Sequence, residues 1–218
     1  SSNQIILMIN FFKSDKWLSK ILKVNAYIIN LDNKITKEKI KGFLSKLKLN
    51  SFVTAKVSSK DITNISILQE LEFKLIDCLV KYQVKTEQIL KVNHPYSSQN
   101  DFHIEEANSQ DALKIAELAS KSFSFSRFYL DPKITNDDAS QIKYEWVLNY
   151  FKGLRGNKLF VSYSKYDKRV VGFILLIEKI YPNDKKIINL DLIAVDSQFL
   201  RVGIAYSLIK YAAAHFHS

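Results

Sequence analysis

Apolar positions recur at two spacings along this chain, and the switches between them mark its elements. Ile5 to Asn10 and Ala26 to Leu31 predict strands, and between them Trp17, Leu18, Ile21 and Leu22 keep helical spacing. Thr36 opens a second helix with Ile40, Phe43, Leu44 and Leu47 on one face. "SFVTAKV" alternates as a strand does. "SSKD" then supplies capping residues for a helix carrying Ile62, Ile65, Leu68 and Leu71. "FKLIDCLVKYQV" predicts a long closing strand. These elements make a small α/β unit over residues 1–95 without a catalytic motif of its own.

The polar stretch "NHPYSSQND", residues 93 to 101, predicts a domain boundary, with a second domain over residues 101–218. "FHIEEA" reads as a strand. Asn108 and Asp111 stand at capping-box spacing before a helix carrying Leu113, Ala116, Leu118 and Phe123. Pro132 bars helix in the middle of the connection "SFSRFYLDPKITNDD". Asn136 is the expected cap of the next helix, with Asp137 and Asp138 in its first turn. Ile142, Trp146, Val147, Tyr150 and Phe151 form its apolar face, and Gly153 its end. "KLFVSYS", "VVGFILLIEKI" and "IINLDLIAV" are strands joined by the short charged turns "KYDKR" and "YPNDK", which predicts antiparallel neighbours. The second half reads β-α-α-β-β-β-α.

An apolar fraction of 47% with 12% aromatics supports a folded protein. No apolar run approaches the roughly 20 residues that span a bilayer, so the expectation is a soluble, cytoplasmic protein without a membrane span. Cys78 is the single cysteine, which excludes an internal disulfide and a cysteine metal cluster; in "LIDCLVKY" it reads as a buried structural thiol. His94, His103, His215 and His217 show no metal-ligand spacing beyond the terminal pair, so no metal is expected. The net charge of +10 comes almost wholly from dispersed lysines, with arginine only at 127, 155, 169 and 201. That distribution reads mainly as composition bias, with a general attraction for anionic ligands as the second reading; no nucleic-acid recognition motif is present.

The stretch "VDSQFLRVGIAYSLI" carries the candidate chemistry. A helix that starts at a sheet edge presents unpaired N–H groups and a positive dipole end. Gly203 allows close approach of a phosphate, Ala205 does not obstruct it, and the donors run over Arg201, Val202, Gly203, Ile204 and Ala205. Taken alone, one glycine before a helix is a common feature.

The order of elements, with this loop after the fourth strand, resembles the GNAT superfamily of acyl-coenzyme A N-acyltransferases. Its loop signature is Gln/Arg-x-x-Gly-x-Gly/Ala. Gly203 and Ala205 match the last two defined positions, whereas Leu200 stands at the first and the basic residue follows at Arg201. A narrower resemblance rests on "KSFSFSRFYLDPKITNDDASQIKYEWVLNYFKG", "VVGFILLIE" and "LDLIAV", which look like the dTDP-fucosamine acetyltransferases. Those two-domain enzymes acylate the 4-amino group of a nucleotide-linked 4-amino-4,6-dideoxyhexose.

The resemblance implies acetyl-coenzyme A as co-substrate, a GNAT-like mixed sheet flanked by helices, and a smaller α/β domain before it. It sets Ile193, Ala194 and Val195 along the pantetheine arm, and the loop from Arg201 to Ala205 at the pyrophosphate. Asp191, two residues from Ile193 and so expected on its face, is the candidate base, with a structural carboxylate as the alternative; Glu178 is a lesser candidate. Asn189 stands where many relatives carry a glutamate. Ser126, Arg127, Phe128 and Asp131 fall in the acceptor segment, where Arg127 either meets a diphosphate or pairs with Asp131. The resemblance also implies closing strands and a general acid that would lie beyond Ser218, so a truncated chain is the expectation, with a fold completed by another chain or a non-catalytic member as the alternatives. The alternative functions are acylation of a protein amine or polyamine, and a binding module; a homo-oligomer is allowed.

Overall fold

The computed structural model describes residues 11–31, 35–92, 101–182 and 186–217. The strand expected at Ile5 to Asn10 and most of the "NHPYSSQND" segment lie outside them, as does much of the "YPNDK" turn. Contacts gather the chain into two compact units, Ser1–Asp77 and Cys78–Ser218. The division thus falls upstream of the polar segment at which the sequence predicts it.

In the first unit, β1 (Phe12–Ser14) pairs antiparallel with β2 (Asn25–Asn30), and β2 pairs parallel with β3 (Ser51–Lys56). A parallel pair needs a crossover, here α2 (Lys37–Leu44), while α1 (Lys16–Leu22) links β1 to β2. Thr36 and Asp61 accept the N3 amides of α2 and of α3 (Ile62–Glu70), which are the caps the sequence predicts. Phe11, Ile29, Ile35 and Ile40 form the core.

The long strand expected at "FKLIDCLVKYQV" does not form. Residues 73 to 85 pair with no described strand, and Leu75, Leu79, Val80, Tyr82 and Val84 stay exposed. Cys78 is exposed as well, against the expectation of a buried thiol. An apolar run becomes a strand only where a ladder satisfies its backbone, and composition does not report that partner. A short helix follows, α4 (Thr86–Lys91), which packs on the last helix of the second unit.

The second unit is a four-stranded antiparallel sheet in the order β4 (Phe102–Glu106), β5 (Lys158–Ser164), β6 (Val170–Ile180), β7 (Lys186–Val195). Both its faces are covered, so its central strands read as near-continuous apolar runs. One face packs on α5 (Ala112–Ser122) and α7 (Asn136–Phe151) through Ile115, Val147, Val161, Phe173, Leu175 and Leu192. The other packs on α8 (Ile204–His217) through Phe160, Val171, Ile174, Ile204 and Leu208. The mixed α/β class with sheets flanked by helices is as predicted; mixed pairing occurs in the first unit, whereas the described strands of the second are all antiparallel. Asn108 and Asp111 form the predicted box, but Thr135, not Asn136, caps α7. A one-turn helix, α6 (Arg127–Leu130), sits in the connection before Pro132.

Candidate active site

Two features of β7 set the site. Among the described strands it is paired only by β6, so its outer edge carries unpaired backbone groups. The Asp196 N–H bonds the Val171 carbonyl, and an antiparallel ladder alternates. Ala194 therefore turns inward, while Ile193 and Val195 direct their N–H and C=O to the open edge. Ala194 packs with the α5–α7 core, and the Ile193 and Val195 side chains pack toward α8.

The second feature is a bulge. Leu192 faces Leu175, but Leu190 faces Leu176, which leaves Asp191 as the extra residue. The bulge breaks the two-residue alternation. Asp191 consequently does not share the face of Ile193, as its spacing predicts; it reaches the α7 side. There it accepts hydrogen bonds from Trp146 Nε1 (2.7 Å), Tyr150 Oη (2.8 Å), and Arg155 Nε (2.6 Å) and Nη2 (2.9 Å). Burial alone pushes this carboxyl up, but the bonds from Arg155, Trp146 and Tyr150 and the Arg155 charge outweigh it and hold it below its ordinary value. A carboxylate that binds four donors and resists protonation is a poor proton acceptor. The geometry favours a positioning carboxylate over the base expected from sequence. Glu178 lies opposite Ile188, several residues along the ladder from Ile193.

The loop after β7 starts α8 abruptly. Arg201 has φ of 65° and Gly203 of 90°, left-handed values that glycine adopts without strain. The first backbone bond of the helix runs from Ser207 N–H to the Gly203 carbonyl. The amides of Gly203, Ile204 and Ala205 therefore have no carbonyl of their own helix to bond, and they lie at its positive end. Arg201, Val202 and Ala205 are exposed, Gly203 is half-buried, and Ile204 is buried against the sheet as the anchor of the turn. The residues fit an anionic diphosphate held mainly by backbone, with Arg201 available beside it and Leu200 exposed.

The acceptor residues predicted from sequence part company. Phe128 is buried, with the Arg127 guanidinium 4.4 Å above its ring, and Phe128 meets Trp146 edge-on at 6.2 Å. Ser126 precedes α6, and its buried hydroxyl has no hydrogen-bond partner. Asp131 instead accepts the Lys133 N–H at 2.9 Å, closing its own turn around Pro132, so its work is local.

Two residues were not singled out by sequence reasoning. Arg155 clamps Asp191 and lies 3.7 Å over the Trp146 ring. Lys143 is 4% exposed and looks onto the rings of Phe123 (4.6 Å), Trp146 (4.9 Å) and Phe128 (5.7 Å). Burial brings the Lys143 ammonium down to about 8, with the Arg127 and Arg155 charges acting in the same direction and Asp191 opposing them. The available signal was a lysine three residues before Trp146 and seven before Tyr150, on the apolar stripe of a helix.

Tyr150 is held against Gly156. A Cβ at Gly156 would lie 2.0 Å from the Tyr150 ring, which the bond to Asp191 keeps in place. Gly156→Ala is expected to lower stability by about 1–3 kcal/mol; unchanged urea unfolding would show that the ring is free to move.

A groove of about 420 Å³ lies on the opposite side of the sheet, between α4, β4 and α8, and of the candidate residues only Ile204 lines it. Among the described residues no helix is long and apolar enough to cross a membrane, and no group of three metal-type side chains gathers.

No family model matches the chain. It is 33% identical over 99 residues to the spore coat polysaccharide biosynthesis protein SpsD of Bacillus subtilis (strain 168), a match covering 45% of this chain and 32% of that protein. The chain thus spans about a third of the length of the curated relative it matches. A functionally unknown conserved protein from Staphylococcus epidermidis ATCC 12228 aligns with a TM-score of 0.52 at 16% identity, over 91% of this chain and 73% of that one. The two share a fold. A GNAT family acetyltransferase from Brucella melitensis, solved with acetyl-CoA, aligns over 53% of this chain and 68% of that one at 22% identity, with a TM-score of 0.40.

Proposed function

We propose that the protein is an acetyl-coenzyme A dependent N-acetyltransferase of the GNAT type, acting on the amino group of a nucleotide-activated 4-amino-4,6-dideoxy sugar. The observation that carries this reading is the open edge of β7 running into a left-handed loop at the start of α8. Residues 101–218 then form the acetyl-coenzyme A-binding domain, after the small α/β unit. The match to a polysaccharide biosynthesis protein supports a sugar acceptor.

In this reading the amides from Arg201 to Ala205 hold the pyrophosphate, and the β7 edge at Ile193 and Val195 binds the pantetheine arm. Bound there, the thioester supplies an acyl group activated for transfer to an amine. An outward N–H of Ile193 or Val195 polarises the carbonyl. Arg155, Trp146 and Tyr150 fix Asp191, which sets the bulge just before that edge. The amine must shed a proton and the thiol gain one. Asp191 is poorly suited to accept the first, and water takes it instead.

Gly203→Glu is expected to abolish coenzyme A binding measured by calorimetry while leaving the thermal transition in place, because its carboxylate meets the pyrophosphate. No heat from the unaltered, folded chain sinks the cofactor reading. Thiol release with amino-sugar nucleotides, lysine peptides and polyamines then tests the acceptor; acylation of peptide alone overturns the sugar assignment.

A further inference from the structure

We propose that the groove between α4, β4 and α8 is a binding site for a small aromatic carboxylate, on the side of the sheet away from Asp191. The proposal does not rest on the acyltransferase reading.

The groove exists because α8 packs directly on β6. A Cβ at Gly172 would lie 2.9 Å from Ile204 and 3.3 Å from Leu208, so only a glycine lets the helix settle there unchanged. Beside that contact α4 packs on α8, and a cavity of about 420 Å³ remains between the two helices and the sheet. That volume lies within the usual range of small-molecule pockets. Leu90, Phe102, Ile104 and Tyr211 give it apolar and aromatic walls. Tyr211 meets Phe160 edge-on at 5.2 Å and Phe102 meets Phe199 edge-on at 6.0 Å, so both rings are braced.

Ser162 supplies the polar contact. It faces Ile104 on β4 and Gly172 on β6, it is fully buried, and its hydroxyl has no hydrogen-bond partner. Buried hydroxyls are normally satisfied, and this one lines the cavity. No carboxylate lines the groove, whereas Lys165 and Lys210 do. Lys165 has contacts of its own, but Lys210 forms no ion pair among the described residues. Lys210 stands three residues after Ser207, which also lines the groove, so the two share a face of α8. A carboxylate is acceptor-only and takes bonds from hydroxyls and an ammonium together. An apolar ring bearing one acid group therefore matches this lining, whereas a diphosphate carries more charge than Lys210 balances.

Calorimetry with naphthoate, run beside its uncharged counterpart naphthylmethanol, tests the site. The chain is expected to bind the acid about tenfold more tightly than the alcohol, and Lys210→Gln to remove most of that difference. Ser162→Ala should weaken naphthoate binding by roughly three- to tenfold, while its Tm stays level or rises because an unpaired hydroxyl is removed. Ala214→Trp, at an exposed position of the α8 wall, should block the groove without disturbing the core. No heat with naphthoate from the folded chain, equal affinity for acid and alcohol, or unchanged binding in Ala214→Trp overturns the proposal. A lower Tm for Ser162→Ala would show that the hydroxyl is already satisfied, and it overturns the role given to that residue. Naphthoate binding without coenzyme A binding keeps this site and sinks the cofactor reading; the reverse outcome does the opposite.

Discussion

Asp191→Ala is expected to destabilise the second unit by about 2–5 kcal/mol, the largest of the stability effects the structure predicts. The substitution strands three groups at once. The Trp146 and Tyr150 donors lose their acceptor, and each buried unsatisfied donor costs about 1–3 kcal/mol. Arg155 loses its counter-ion, but its side chain is 32% exposed and can turn to water, which keeps the total below a simple sum. Urea unfolding and a fall in Tm of about 5–15 °C would register it. Asp191→Asn keeps the shape and one acceptor oxygen, so its loss should be smaller. It should also flatten the acid limb. The folded carboxyl is held below its ordinary value of 3.8, so its contribution is complete above that pH and vanishes as pH falls through the lowered value. An Asp191→Asn variant with unchanged Tm and collapsed kcat would restore the base role that the bulge argues against.

That bulge shows where sequence pattern stops being informative. The alternation in "IINLDLIAV" announces a strand, and it forms as β7. Alternation also assigns Asp191 to the face of Ile193, and the extra residue opposite Leu175 and Leu176 reverses this. Register is a property of the pair, so one strand cannot reveal it. The same limit explains "FKLIDCLVKYQV", which has a strand's composition and no described partner, so that Cys78 is exposed. Caps were more legible, because Asp61, Thr36 and Asn108 act within three residues of themselves. Gly203 was legible for a similar reason, since its left-handed φ is a local demand. Arg155 and Lys143 were not, because their meaning comes from β7 and α6, which are distant in sequence. A lysine among 32 basic residues reads as bias until burial sets it apart.

Lys143→Met is expected to stabilise the protein at pH 7, by about 1–2 kcal/mol. The sign follows from the proton. Folded Lys143 titrates near 8, whereas an unfolded lysine titrates near 10.4. Between those values the unfolded chain holds a proton that the folded chain lacks, so stability rises with pH across that window. Below it both states are charged, and burial of the charge carries its full penalty, about 3 kcal/mol from the shift alone. The rings of Phe123, Phe128 and Trp146 offset part of this, because they attract the ammonium and not the amine, and methionine fills the same space without a charge. Melting curves from pH 7 to 10.5 for both proteins test it, because their difference cancels every other titration. The gap should close as pH rises. A variant less stable at pH 7, with a gap independent of pH, would show that Lys143 is a settled structural cation.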